Sequence, residues 1–301
     1  QWWGDLLTCR EWAHTWLNEG FASYFEALWA EHDLGSDEFR YNMYRKAKRA
    51  RSGGKKKPIV DRAYDKPGDN FDARAYPKGA WVLHMLRSRL GDDLFWKAIN
   101  KYGTDNAFKT VETVDLRKAV EQVSGRSFER FFYDWTERPG HPEVTVSYKW
   151  LNEDKLAKVS IKQTQEAAAF QFPLAIEFRF DGDGPASTVT CDVTEKKETV
   201  YYPLPRAPKM VRVDPGQTVL MELKEKKGRG LWKAQLLDDA NPVARIRAAK
   251  HFGDSKSDPD RKLLAGALQS EKFWAVKREI AGALSDAGGD ISRDALIAGL
   301  K

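Results

Sequence analysis

The sequence predicts a multidomain α+β chain: a helical part over residues 1–138, a β-sandwich over 139–225 and an α-helical solenoid over 226–301. Three observations carry this reading. Apolar residues recur at helical spacing through the first part. The period switches to two between Val144 and about Leu223, with frequent turn residues. In the tail, one apolar pattern repeats at an offset of 32 residues.

Each element follows from its own signal. Ala22, Phe25 and Leu28 continue one helical stripe after Glu19. Further helices are expected over Gly79–Arg87, Asp93–Tyr102 and Val114–Val123, the last stopped by Gly125. A short aromatic helix is expected over Phe128–Trp135, and Arg138-Pro139-Gly140-His141-Pro142 breaks the chain. Strands are expected around Val144–Tyr148, Leu156–Ile161, Ile176–Phe180, Val189–Val193, Val200–Tyr202, Val211–Val213 and Val219–Met221. Gly182-Asp183-Gly184-Pro185 and Asp214-Pro215-Gly216 punctuate them. In the tail, Leu231-Trp232 with Leu236 recurs as Leu263-Leu264 with Leu268, and as Ala295-Leu296 with Leu300. Ala244–Ala249 with Phe252 recurs as Val276–Ala281 with Leu284, so paired helices of a HEAT-like array are expected.

Composition narrows the function. Forty-two per cent hydrophobic residues with twelve per cent aromatic exclude a disordered chain. Of eleven tryptophans, seven fall in the first hundred residues and suggest a broad aromatic core there. No run reaches the ~18 apolar residues of a membrane helix, so no membrane segment is expected. Cys9 and Cys191 form neither a disulfide framework nor a CxxC site. The net charge of +6 is concentrated in Arg45, Lys46, Lys48, Arg49, Arg51 and Lys55–Lys57, around Ser52-Gly53-Gly54. No base-stacking aromatics interleave these cations, so the run is expected to be a solvated helix end and loop rather than a nucleic-acid surface.

The chemistry starts at Trp16-Leu17-Asn18-Glu19-Gly20-Phe21-Ala22. A carboxylate set among apolar and aromatic neighbours is costly unless a cation meets it, and a metal ion is an economical partner. Glu19, Ala22, Ser23 and Glu26 share a helical stripe. His14, five residues before Glu19, diverges by about 140° on a regular helix and is expected to pack rather than ligate. A second word, Ala75-Tyr76-Pro77-Lys78-Gly79-Ala80, leads into Trp81–Arg87. A neutral phenol at Tyr76 can donate to a developing oxyanion. Lys78 is expected to close a local ion pair, and His84 to pack.

These two words resemble the M1 aminopeptidases, gluzincin metallopeptidases of the membrane alanyl aminopeptidase type. In that family HExxH is followed, eighteen residues on, by a metal-binding Glu. Gln1-Trp2-Trp3-Gly4 resembles the residues directly after HExxH in the family, and counting Gln1–Asn18 as the eighteen puts Glu19 on the ligand position. The resemblance implies one Zn²⁺, with Glu19 as a ligand and Tyr76 as the oxyanion donor. It gives Glu26 the role of holding a ligand histidine in orientation, with a salt bridge on the helix flank as the alternative. Peptides cleaved at their N-terminal residue are the implied substrates. The helical half of a thermolysin-like catalytic domain is the implied fold of residues 1–138. Phe132–Trp135, Gln163-Thr164-Gln165, Phe172-Pro173-Leu174 and Val213-Asp214-Pro215 extend the likeness to about residue 223.

HExxH and GxMEN, the family's metal-binding and α-amino-binding words, are both missing from the 301 residues. The expectation is therefore a C-terminal piece of a zinc aminopeptidase, beginning just after HExxH, ending at Lys301 inside a repeat, and inactive alone. The alternative is a non-catalytic scaffold that binds a protein partner through its HEAT-like repeats. Localisation is not set by this sequence.

Overall fold

The computed structural model describes residues 2–53, 55–182 and 184–299. Gln1, Gly54, Asp183, Leu300 and Lys301 lie outside the described residues. The count from Gln1, the glycine break at Gly54, the turn at Asp183 and the repeat position Leu300 therefore rest on the sequence. The chain mixes helices and sheets.

The N-terminal part opens with the kinked turn α1 (Trp2–Asp5), β1 (Thr8–Cys9) and a 3₁₀ turn at Trp12–His14. Two long helices come next, α2 (Trp16–Leu34) and α3 (Ser36–Gly53), joined at Gly35, whose φ of 91° suits glycine. A 3₁₀ turn at Pro67–Asn70 and a π turn at Arg74–Lys78 lead into α4 (Gly79–Leu90) and α5 (Asp92–Asp105). After β2 (Thr110–Val111) comes α6 (Thr113–Ser124), opened by a reciprocal cap between Glu112 and Asp115 and closed by Gly125 in the left-handed region. The expected aromatic helix is α7 (Glu129–Phe132), continuing into a second π turn at Tyr133–Glu137. β1 and β2 pair in parallel, Cys9 opposite Val111. That small sheet was not legible, because two-residue strands carry no period.

Seven strands make up the next part: β3 (Glu143–Leu151), β4 (Leu156–Gln163), β5 (Phe172–Arg179), β6 (Ser187–Val193), β7 (Lys197–Pro203), β8 (Met210–Val213) and β9 (Glu222–Lys226). They form a four-stranded sheet ordered β7-β4-β3-β9 and a three-stranded sheet ordered β6-β5-β8. Val146 faces Ile161 across β3 and β4, and Ile176 faces Val189 and Val213 on β5's two sides. Val144, Val146, Val159, Ile161, Leu174, Ile176 and Phe178 are buried, which fixes the register by the alternation. One expectation is corrected here. The last strand is Glu222–Lys226, not Val219–Met221. Val219, Leu220 and Met221 are buried in a row as the chain crosses between the sheets. Consecutive burial is the mark of a crossing rather than of a strand with one wet face.

One cluster of buried side chains runs from Leu7 to Met221, through α2, α4 and both larger sheets. The tail holds α8 (Arg229–Asp238), α9 (Pro242–Ser255), α10 (Asp258–Ser270), α11 (Trp274–Ala287) and α12 (Asp290–Ala298). Trp232, Leu236, Leu264, Leu268, Ile246, Ile280, Phe252 and Leu284, the repeated apolar positions, form a second buried cluster. Tyr41 of α3 joins it, and its hydroxyl donates to Glu279 Oε1 at 3.0 Å. No helix among the described residues is long and apolar enough to cross a membrane.

Candidate active site

The two sequence words meet where α2 crosses the π turn and the start of α4. A Cβ placed on Gly20 would lie 2.9 Å from the Cα of Gly79 and 3.2 Å from the Ala75 carbonyl oxygen; one on Gly79 would lie 2.9 Å from the Gly20 Cα. Real Cβ atoms do not approach so closely, so only a glycine pair lets the two backbones touch. This contact puts Glu19, the residue before Gly20, against Tyr76. Replacing Gly79 by alanine is expected to push the helices apart and cost about 1–3 kcal/mol, read as a lower urea midpoint at unchanged slope.

The rest of the first word supports that placement. Trp16 is buried, and its Nε1–H donates to Thr113 Oγ1 at 2.9 Å. Asn18 Oδ1 accepts the Cys9 backbone N–H at 3.2 Å, tying β1 to α2. Phe21 is buried beside Trp3, ring centroids 4.2 Å apart. With Trp16, Leu17 and Phe21 anchored, the half-buried Glu19 carboxylate turns toward the half-buried Tyr76 ring. Burial raises the Tyr76 phenol above its ordinary 10, and the nearby charge of Glu19 pushes the same way. Tyr76 therefore stays neutral at neutral pH, as a hydroxyl donor must.

The π turn is held from below by Arg74. Its guanidinium donates to Asp61 Oδ2 at 3.1 Å, Asp72 Oδ2 at 2.8 Å, and the carbonyls of Pro58 and Asp69 at 3.0 and 2.6 Å. Burial works to raise the Asp61 carboxyl, but hydrogen bonds from Lys57, Arg74 and the Ala63 N–H overcome it and hold it below its usual range. Lys78 departs from expectation. It makes no ion pair among the described residues; its Nζ is buried and donates to the Gly140 carbonyl at 2.8 Å. The stem thus carries the amine to the chain break at Arg138–Pro142 rather than to a surface carboxylate. Burial, with the nearby Arg74 cation, pulls the Lys78 amine down to about 7.

The remaining candidates fall elsewhere. Glu26 is 68 % exposed and its carboxylate takes Lys46 Nζ at 2.8 Å, so its partner is a lysine and not a histidine. His14 is buried outside the regular helix, in the 3₁₀ turn, with Nδ1 3.0 Å from Thr113 Oγ1. His84 packs as expected: it is buried between Tyr24 and Gln217, Nδ1 3.2 Å from the Tyr24 hydroxyl and Nε2 3.0 Å from the Gln217 carbonyl. Burial pulls the His84 imidazole down to about 4 against that carbonyl bond. Sequence reasoning missed Gly20, Gly79 and Arg74. The signal was present for the glycines, since each costs a helix ~1 kcal/mol relative to alanine and so marks a close approach.

The residues fit a zinc site only in part. Glu19 offers one carboxylate, and among the described residues no group of three His, Cys, Asp or Glu side chains could hold a metal. One oxygen ligand does not hold zinc.

The whole chain superposes on the crystal structure of Legionella pneumophila aminopeptidase A in complex with aspartic acid, with a TM-score of 0.78 at 18 % identity over 99 % of this chain and 36 % of that one. The fold is thus that of part of an aminopeptidase. Residues 1–135 match the family model described as the Peptidase family M1 domain. Among its relatives, Aminopeptidase M1-C of Oryza sativa subsp. japonica is 34 % identical over 160 residues, half of this chain and 18 % of the rice protein. The Tricorn protease-interacting factor F2 of Thermoplasma acidophilum is 33 % identical over 156 residues, 48 % of this chain and 19 % of that protein. The matched stretch spans less than a fifth of the length of these curated relatives.

Proposed function

We propose that Glu19 and Tyr76 form one wall of a zinc aminopeptidase centre. Glu19 supplies a carboxylate ligand, and Tyr76 supplies the hydroxyl that meets the oxyanion of a peptide carbonyl under attack. The observation that carries this is the glycine-on-glycine crossing, which sets the carboxylate against a phenol kept neutral by burial. The two histidines and the general base of HExxH are not among the 301 residues, so the chain alone neither retains zinc nor hydrolyses peptides. Residues 1–138 are the peptidase portion, 139–225 a β-sandwich and 226–301 HEAT-like repeats. Peptides are the substrates. The Thermoplasma relative is named for an interaction with the Tricorn protease, which supports a protein partner here; the repeat helices are the surface we assign to it.

The pair is tested by ultraviolet titration of the tyrosines. Glu19→Gln removes a negative charge beside Tyr76, so that phenol is expected to ionise closer to pH 10 than in the wild type; Tyr76→Phe identifies its signal. An unchanged titration in Glu19→Gln would separate the two residues and end the proposal. The catalytic part is tested with an aminoacyl-anilide and zinc. The 301-residue chain is expected to release nothing, and turnover by it would overturn the inactivity. Joined to an HExxH-bearing M1 segment, it is expected to turn over, with Tyr76→Phe losing about 10²–10³-fold in kcat. Absence of turnover in the joined protein would favour the scaffold.

A further inference from the structure

The basic run on α3 and the loop after it has no part in the peptidase reading. Three of its eight cations are paired locally: Lys46 with Glu26, Lys55 with Glu143 and Glu222, and Lys57 with Asp61. Arg51 is not. Among the described residues its guanidinium hydrogen-bonds only the Met221 carbonyl, at 3.5 Å. Across from it on α9, Arg247 hydrogen-bonds only the Val213 carbonyl among the described residues, at 3.0 Å. The charge of Arg247 also acts on Asp214, but that carboxylate is buried and committed to the Thr218 N–H and hydroxyl and to the Val219 N–H.

Between these two arginines lies a cleft of about 440 Å³, where α3, the β8–β9 crossing and α9 come together. Lys48 and Lys250 add two more cations to its lining, and Glu222, already held by Lys55, is its one carboxylate. Burial pulls the Arg51 guanidinium below its ordinary value, and Arg247 adds to this against Tyr44 and Glu222. Two arginines that crowd one concave space with only carbonyl partners repel each other unless an anion lies between them. Planar guanidinium forks match the oxygens of a phosphate group, and a charge-assisted bond to phosphate is about twice as strong as a neutral one.

We propose that this cleft binds a small polyanion bearing phosphate groups, gripped by Arg51 and Arg247 and attracted by Lys48 and Lys250 at the rim. A single-stranded nucleic acid fits less well. The aromatic residues lining the cleft are Tyr44 and Trp81; Trp81 is buried with its Nε1–H given to the Met43 carbonyl, and Tyr44 is half-buried and stacked on Tyr41, so the cleft has no row of open aromatic faces for successive bases. The proposal is independent of the peptidase reading.

The test uses the 301-residue chain and inorganic pyrophosphate, followed by calorimetry and by thermal unfolding in chloride buffer near physiological ionic strength. The expected result is saturable one-to-one binding that raises the unfolding midpoint. Arg51→Gln with Arg247→Gln is expected to weaken binding by more than about tenfold. Lys48→Gln with Lys250→Gln is expected to weaken it a few-fold and to flatten its salt dependence. Lys224→Gln, on the exposed face of β9, should leave it unchanged. If the double arginine variant does not fold, the lysine pair decides. Absence of pyrophosphate binding, equal binding in the lysine and arginine variants, or displacement of pyrophosphate by a tighter-binding single-stranded oligonucleotide would each overturn the proposal.

Discussion

Arg74→Met is expected to destabilise the protein by about 3–5 kcal/mol, the range for breaking a buried ion pair from one side. The methionine fills much of the space but leaves Asp61 nearly buried with Lys57 as its remaining cation, and strands the carbonyls of Pro58 and Asp69. Chemical denaturation reads the loss directly. A second consequence is local. Arg74 opens the π turn that carries Tyr76, so the variant should also shift the Tyr76 titration, whereas an equally destabilising change in the tail should not. A loss below about 1 kcal/mol, the level of an exposed pair, would show that the Arg74 network does not hold the turn.

Stability should climb with pH between about 7 and 10.5, and Lys78→Met should flatten that climb. The folded chain lets the Lys78 amine go at about 7, whereas the unfolded chain keeps its proton to the ordinary 10.5. In that window the unfolded state binds the extra proton, so raising the pH favours the folded state. The gap corresponds to on the order of 3–5 kcal/mol for this fully buried group. A separate window lies lower. Burial pulls His84 and His141 down to about 4, His141 with added repulsion from Lys78, Lys55 and Arg51. Stability is therefore lost as the pH falls from 6.5 toward 4; Lys78→Met leaves the His84 part of that loss in place and eases the His141 part. Denaturant titrations at pH 5, 7 and 9 on wild type and variant separate the two; equal slopes above pH 7 would show that Lys78 is charged in the folded state.

Period and short sequence words made part of the molecule readable in advance. Trp16–Ala22 is legible because its burial demands are written in its residue types, and the tail is legible because its apolar positions recur. The helices over Gly79–Leu90 and Thr113–Ser124 appear where their stripe and caps put them. Illegible features depended on partners distant in the chain. Lys78 reads like any lysine near acidic neighbours; only the fold supplies the Gly140 carbonyl. Glu26 shares a stripe with Glu19, yet α3 packs alongside and offers Lys46 first. Val219–Met221 has the residue types of a strand, and only the order of the two sheets shows that the chain is passing between them. The cleft between Arg51 and Arg247 is assembled from elements almost two hundred residues apart in the chain, about 196 by numbering.

The π turn has a consequence for how this chain tolerates change in length. Its Lys78 N–H reaches the Ala73 carbonyl, one residue farther back than in an α-helix, and Pro77, which has no N–H, sits inside it at no cost in bonds. One surplus residue is thus stored ahead of α4, whose own face from Gly79 to Leu86 is buried and cannot rotate. Deleting Pro77 would relax the turn to an α-helix and rotate Tyr76 by about 100° relative to α4. The core would stay in register while the phenol left Glu19. Substitutions here can be conservative, but the count of residues cannot change.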